Sequence, residues 1–136
     1  MIFLDTSAVI DLTNGDKRLA AVVRSAEQHG QPIAIASVSL FELLTPIFHK
    51  NLSKKERIIE SFLHNVQVLQ LDSPASEAGA RIMAALLKIG KPVNVLDVLI
   101  AGIAQANNVD ELVTSDSDFD EIAKVSNLRI NIMRAS

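Results

Sequence analysis

The sequence has no cysteine, no tryptophan and no tyrosine. Without cysteine, neither a disulfide framework nor a thiolate zinc site can form, which fits a reducing cytosol. The three histidines, His29, His49 and His64, stand in no metal-ligand or catalytic-triad spacing. Long apolar runs are also missing. The longest candidate, Val98 to Ala106, contains Gly102 and Gln105 and falls short of the roughly 18 residues needed to span a bilayer. The chain opens Met1-Ile2-Phe3-Leu4-Asp5, with no basic stretch ahead of the apolar residues, so a signal peptide is not expected and a cytoplasmic location is. Basic charge is in short supply: 13 Lys and Arg stand against 16 Asp and Glu, a net charge of −3. That balance argues against polyanion binding by charge alone. A site loading two divalent ions would add four positive charges and bring the total to about +1.

What is present is an ordinary globular composition, 49% hydrophobic and 21% charged over 136 residues. This length suits one domain, here residues 1–136, with a core that needs no staples. No repeat, linker or low-complexity segment divides it. Residues 2–5 read as a short buried strand ending at an acid, and a helix follows from Thr6 and Ser7. Asp16 is placed to cap a helix reaching about Gln28. Ile33 to Ala36 is a second buried strand, and Val38 to Lys50 has helical spacing, with Pro46 as a candidate kink. Ser53 and Glu56 have the spacing of a capping box for the next helix. Val66 to Leu71 reads as a strand, and Ser73-Pro74 opens a helix ending near Gly90. Pro92 to Val95 is a loop, and Leu96 to Ala106 is apolar nearly all round, the pattern of a buried helix. Leu112 to Thr114 is a strand, Ser117 to Lys124 a short helix and Leu128 to Ile132 a final strand. Strands alternating with helices imply an α/β fold: a central parallel sheet of four to five strands with helices on both faces.

In open parallel sheets, ligands bind beyond the carboxyl ends of the strands. Asp5 and Asp116 fall there, Asp97 opens the buried helix, and Glu42 sits on the helix that follows the second strand. Carboxylates gathered in one crevice raise one another's pKa, a cost that hard divalent cations remove. Two such ions about 3.5–4 Å apart suffice for phosphodiester hydrolysis without further side chains. Each acid also has a plainer reading. Asp5 could cap the first helix. Glu42 is at capping-box spacing from Ser39, unless the helix starts at Ser37 and frees it to face the crevice. Asp97 is at cap spacing from Asn94. Asp116 and Asp118 could form an Asx turn. Asp11, Asp72 and Glu77 read as solvated or capping groups, and Lys50, Lys54, Lys55 and Arg57 as a solvated basic face in preference to an RNA contact. Phe41, Leu44, Ile47 and Phe48 are more apolar surface than one helix face needs; core packing is favoured over a groove for a partner.

Four segments, in order, resemble the PIN domain, and most closely the VapC-type toxins of prokaryotic toxin–antitoxin pairs. They are Phe3 to Ile10, Ser37 to Leu44, Asp97 to Ala104 and Leu112 to Phe119. The resemblance implies RNA cleavage supported by Mg²⁺ or Mn²⁺ on Asp5, Glu42, Asp97 and Asp116, with Asp118 as an auxiliary acid. It implies that Thr6 and Thr114 orient those acids through their hydroxyls. It also implies a homodimer and a small antitoxin protein that covers the crevice. Asp5→Asn is expected to leave the fold intact and to remove activity.

Two other readings stay open on the residues alone. One is a receiver-type phosphoacceptor module using Asp72, although no lysine directly follows either late strand. The other is a catalytically inert binding protein of the same PIN-like fold, against which the presence of all four acids argues.

Overall fold

The computed structural model describes residues 1–134; residues 135 and 136 of the expected domain lie outside the described residues. At its centre is β1 (Ile2–Leu4), fully buried. It pairs in parallel with β2 (Ile33–Ala36) on one side and β4 (Glu111–Thr114) on the other. The edges are β3 (Gln67–Leu69), beside β2, and β5 (Ile130–Ile132), beside β4. All five strands run parallel, in the order β3-β2-β1-β4-β5.

Seven helices complete the described chain. Four lie on one face of the sheet: α1 (Thr6–Thr13), α2 (Lys17–Gln28), α3 (Ser37–Lys50) and α4 (Ser53–Leu63). There Ala8, Val9, Leu19, Leu43, Ile47 and Ile59 pack with Ile2, Leu4, Ile33, Ile35 and Val113. On the other face are α5 (Ser73–Lys88), α6 (Val95–Ala106) and α7 (Phe119–Val125), packed against Phe3, Ala34, Ala36 and Leu112. The strand residues divide between the faces because successive side chains of a strand point opposite ways. Both faces are covered, so the inner strands β1 and β2 are apolar and buried along their length. Of α6, Val98 and the run Ile100 to Ala104 are buried, as its lack of a polar stripe requires. None of the helices is long and apolar enough to cross a membrane.

Helices α5 and α6 meet backbone to backbone. A Cβ placed on Gly102 would lie 2.6 Å from the Ala75 carbonyl oxygen and 2.7 Å from the Gly79 nitrogen. This contact fixes the height of α6, and with it Asp97 in its first turn.

Several boundaries differ from the sequence expectation. The first strand stops at Leu4: the Asp5 amide still donates to the Val113 carbonyl of β4 at 3.1 Å, but Asp5 is already the cap of α1. The strands expected over Val66 to Leu71 and Leu128 to Ile132 shorten to 67–69 and 130–132, since each has a partner on one side only. The last helix begins at Phe119 rather than Ser117, after an acidic turn. Ser53 forms no capping box: Leu52 holds the cap position, without a side-chain bond, and Ser53 is already helical. Helix α3 starts at Ser37, directly after β2, and is continuous through Pro46 to Lys50.

Candidate active site

The sheet order places a topological switch at β1. The chain leaves β1 for β2 on one side, and β4 later pairs on the other. The crevice beyond the carboxyl ends of β1 and β4 is therefore the expected ligand position. Asp5 follows β1 and Asp116 lies two residues past β4.

Asp5 is only 2% exposed, yet its carboxylate is crowded with donors. The Ala8 amide donates to Oδ1 at 2.9 Å, capping α1. Ser7 Oγ lies 2.8 and 3.0 Å from the two carboxylate oxygens. Thr114 Oγ1 donates to Oδ2 at 2.5 Å. Burial pushes the Asp5 carboxyl above its usual range, and Asp116 adds to this, while the bonds from Thr114, Ala8 and Ser7 pull the other way. The capping reading of Asp5 is thus met through Oδ1, while Oδ2 is held by Thr114.

Glu42 is half-buried on α3 and does not join Ser39 in a capping box, because α3 begins two residues before Ser39. Its Oε1 accepts from Thr6 Oγ1 at 2.6 Å. Thr6 Oγ1 is also 2.9 Å from Ser39 Oγ. Thr6 Oγ1 is the donor in both contacts, so its single proton is shared between the carboxylate, the stronger acceptor, and Ser39. Ser39 is fully buried; it supports Thr6, which holds Glu42.

Asp97 sits in the first turn of α6, where Asn94 is the cap and accepts from the Leu96 amide at 2.8 Å. The Asp97 carboxyl is pushed up to about 7, first by burial and then by the negative charges of Asp116, Asp5, Glu42 and Asp118. All of these influences oppose its ionisation. Asp97, Asp116 and Asp118 each bring a carboxylate oxygen within 4.8 Å of the others. Asp116 Oδ1 also accepts from the Asp118 amide at 2.9 Å, the Asx turn foreseen for this segment. Asp118 itself makes no capping bond to α7, so its carboxylate is available.

The donor set fits a hard divalent cation on its chemistry. It consists of oxygen only, it carries excess negative charge, and its most perturbed member, Asp97, is one whose ionised form a cation would favour. An acid of raised pKa surrounded by acids is what a site looks like before its counter-charge is counted.

Two of the other readings are resolved. Asp72 caps α5, accepting from the Ala75 amide at 3.0 Å; it follows the edge strand β3, whereas a receiver places its acid at the sheet centre and has a different strand order. Glu77 pairs with Arg81 on the surface at 3.0 Å. Lys50, Lys54, Lys55 and Arg57 are exposed. Core packing fails for two apolar residues of α3: Phe41 and Phe48 are each 63% exposed, although Ile47 is buried. The inward stripe of α3 is Ser39, Leu43 and Ile47. Between α1, α3 and α4 lies a largely apolar groove of about 160 Å³, with Ile10, Pro46 and Ile58 among its walls and Glu42 and Lys55 at its border.

Sequence reasoning missed Ser7, Ser39, Asp11 and Ser115. Asp11, expected to be solvated, accepts from Ser115 Oγ at 2.6 Å. For Ser7 a signal existed: a small hydroxyl residue two positions after a strand-end acid. The contact of Asp11 with Ser115 spans 104 positions and leaves no local trace.

The family model described as the PIN domain matches residues 2–125. The chain belongs to the PIN domain family. A curated relative, the tRNA(fMet)-specific endonuclease VapC of Shigella flexneri, is 28% identical to this PIN chain over 91 residues, covering 66% of it and 69% of the relative. Among solved structures, VapBC2 from Rickettsia felis, bound to a DNA fragment from its promoter, matches with a TM-score of 0.85. That match is 21% identical and covers 100% of both chains. DNA-bound VapBC from Salmonella typhimurium matches with a TM-score of 0.81 at 25% identity, over 96% of each chain.

Proposed function

We propose that this PIN protein is a divalent-metal-dependent endoribonuclease and the toxin of a toxin–antitoxin pair. The observation that carries the reading is the meeting of Asp97, Asp116 and Asp118 within 4.8 Å, beside the buried Asp5 and the anchored Glu42. The endonuclease name of the Shigella flexneri relative and the VapBC complexes among the structural neighbours support it.

Asp97, Asp116 and Asp118 would hold the metal directly, with Asp5 and Glu42 bordering it as further oxygen donors. Mg²⁺ suits the all-oxygen set, and Mn²⁺ shares the preference. When bound, such ions polarise a phosphodiester and make a water acidic enough to attack it. The protein's own residues supply the geometry. Thr114 and Ser7 hold Asp5, Thr6 and Ser39 hold Glu42, and the Asn94 cap sets the first turn of α6. Asp97 must be ionised for the site to load. No histidine is available as a general base: His29, His49 and His64 are all exposed and none belongs to the cluster.

RNA is the proposed substrate, and the cytoplasm the corresponding location. The partners are a second copy of the chain and a cognate antitoxin. The exposed Phe41 and Phe48 and the apolar groove beside Glu42 support protein partners on that side. The test is incubation of purified protein with a mixed RNA pool. Cleavage should require Mg²⁺ or Mn²⁺, stop with EDTA and return on metal addition. RNA left intact at millimolar metal by the antitoxin-free protein would remove the reading.

A further inference from the structure

Two residues on one face of α1, Ser7 and Asp11, grip Ser115, the residue between Thr114 and Asp116. Ser7 Oγ accepts from the Ser115 amide at 2.9 Å. Asp11 Oδ2 accepts from the Ser115 hydroxyl at 2.6 Å. The two grips are four positions apart on the helix, so they share a face. Beyond Ser115, the Asp116 amide donates to Thr114 Oγ1 at 3.0 Å. The turn that carries Asp116 and Asp118 is therefore tied at its base to α1, the helix that Asp5 caps.

We infer that Asp11 is a positioning residue which, through Ser115, holds Asp116 and Asp118 against Asp5 and Asp97 in the geometry that loads a divalent cation. This rests on the metal-site reading above. The turn needs such a tie. Asp116 and Asp118 face other carboxylates, and like charges push the turn outward until a cation arrives. Asp11 is a suitable anchor because hydrogen bonds to an ionised carboxylate are shorter and stronger than those to neutral acceptors. It does not belong to the group of acids whose oxygens converge, so its effect passes through the serine.

The test is Mn²⁺ titration of the purified full chain, with free Mn²⁺ read by electron paramagnetic resonance and folding monitored by circular dichroism. Asp11→Ala should weaken Mn²⁺ affinity about tenfold, as removal of a group that supports a metal ligand does. Asp11→Asn keeps a carbonyl oxygen that can accept from Ser115, so it should bind within about twofold of wild type. Ser115→Ala should match Asp11→Ala, and the double variant should be no weaker than either single one. Unchanged affinity in Asp11→Ala would overturn the inference. So would equal losses in Asp11→Asn and Asp11→Ala, which would mean that charge acts at a distance. Additive losses in the double variant would also overturn it. Wild type that binds Mn²⁺ and cleaves no RNA removes the ribonuclease reading and leaves the clamp standing. Wild type that binds no Mn²⁺ removes both.

Discussion

Thr114 Oγ1 donates to Asp5 Oδ2 at 2.5 Å, joining residues 109 positions apart. The same oxygen accepts from the Asp116 amide at 3.0 Å. One hydroxyl thus sets a buried acid from β1 against the acidic turn after β4. Thr114 is fully buried, so neither bond is replaced by solvent if it is lost.

Thr114→Val keeps the shape and removes the hydroxyl. It should leave an Asp5 oxygen short of a donor and cost about 1–3 kcal/mol, measured by urea unfolding. Thr114→Ser should recover most of that loss. A Thr114→Val protein as stable as wild type would mean that water takes over the role.

Asp97 predicts how the metal-free protein responds to pH. Its carboxyl rises from 3.8 to about 7 on folding. The folded state then holds a proton that the unfolded state releases. Its contribution to stability is full below about pH 4 and is lost as pH rises through 7. In EDTA, melting should therefore occur at lower temperature at pH 8 than at pH 5.5. Asp97→Asn should flatten that slope and melt about 2–5 °C higher at pH 8. A melting temperature that rises between pH 5.5 and pH 8 would contradict the electrostatics. With excess Mg²⁺ the trend should reverse, because metal binding needs the ionised acid.

The α5–α6 contact predicts an asymmetry between two glycines. Gly102→Ala puts a methyl group 2.6 Å from the Ala75 carbonyl oxygen and should cost about 3 kcal/mol. Gly79→Ala meets nothing closer than 3.6 Å, and alanine's helix preference should offset the small shift needed. Thermal unfolding of both variants checks this. Equal destabilisation would mean that the helices are less closely packed.

Much of the frame was legible because the central strands β1 and β2 are apolar throughout and acids follow β1 and β4. A parallel sheet then places Asp5 and Asp116 at one edge, and the lack of a polar stripe on α6 puts Asp97 at the border of the core. Glu42 was harder. Its spacing from Ser39 imitates a capping box, but α3 follows β2 without a loop, so Ala36 occupies the cap position with no side-chain bond. The outward Phe41 and Phe48 are seven positions apart and imitate a core stripe, while the true inward stripe includes a serine. Spacing cannot reveal that choice, since it depends on which neighbours α3 meets. Hydrogen bonds between α1 and the turn after β4 belong to tertiary structure alone. They also qualify the simplest mutational test. Asp5→Asn would point an amide at the hydroxyls of Ser7 and Thr114 or withdraw the cap from Ala8, so it perturbs folding as well as chemistry.

Asp116→Asn avoids that confusion, because the retained carbonyl oxygen can still accept from the Asp118 amide and form the turn. The most direct measurement is the rate of RNA cleavage by wild type and Asp116→Asn at equal protein and saturating Mg²⁺ or Mn²⁺, with folding verified by circular dichroism. The account predicts a folded variant whose cleavage falls at least about a hundredfold, the loss of several kcal/mol of charge stabilisation. A folded Asp116→Asn protein that cleaves RNA at the wild-type rate would contradict it.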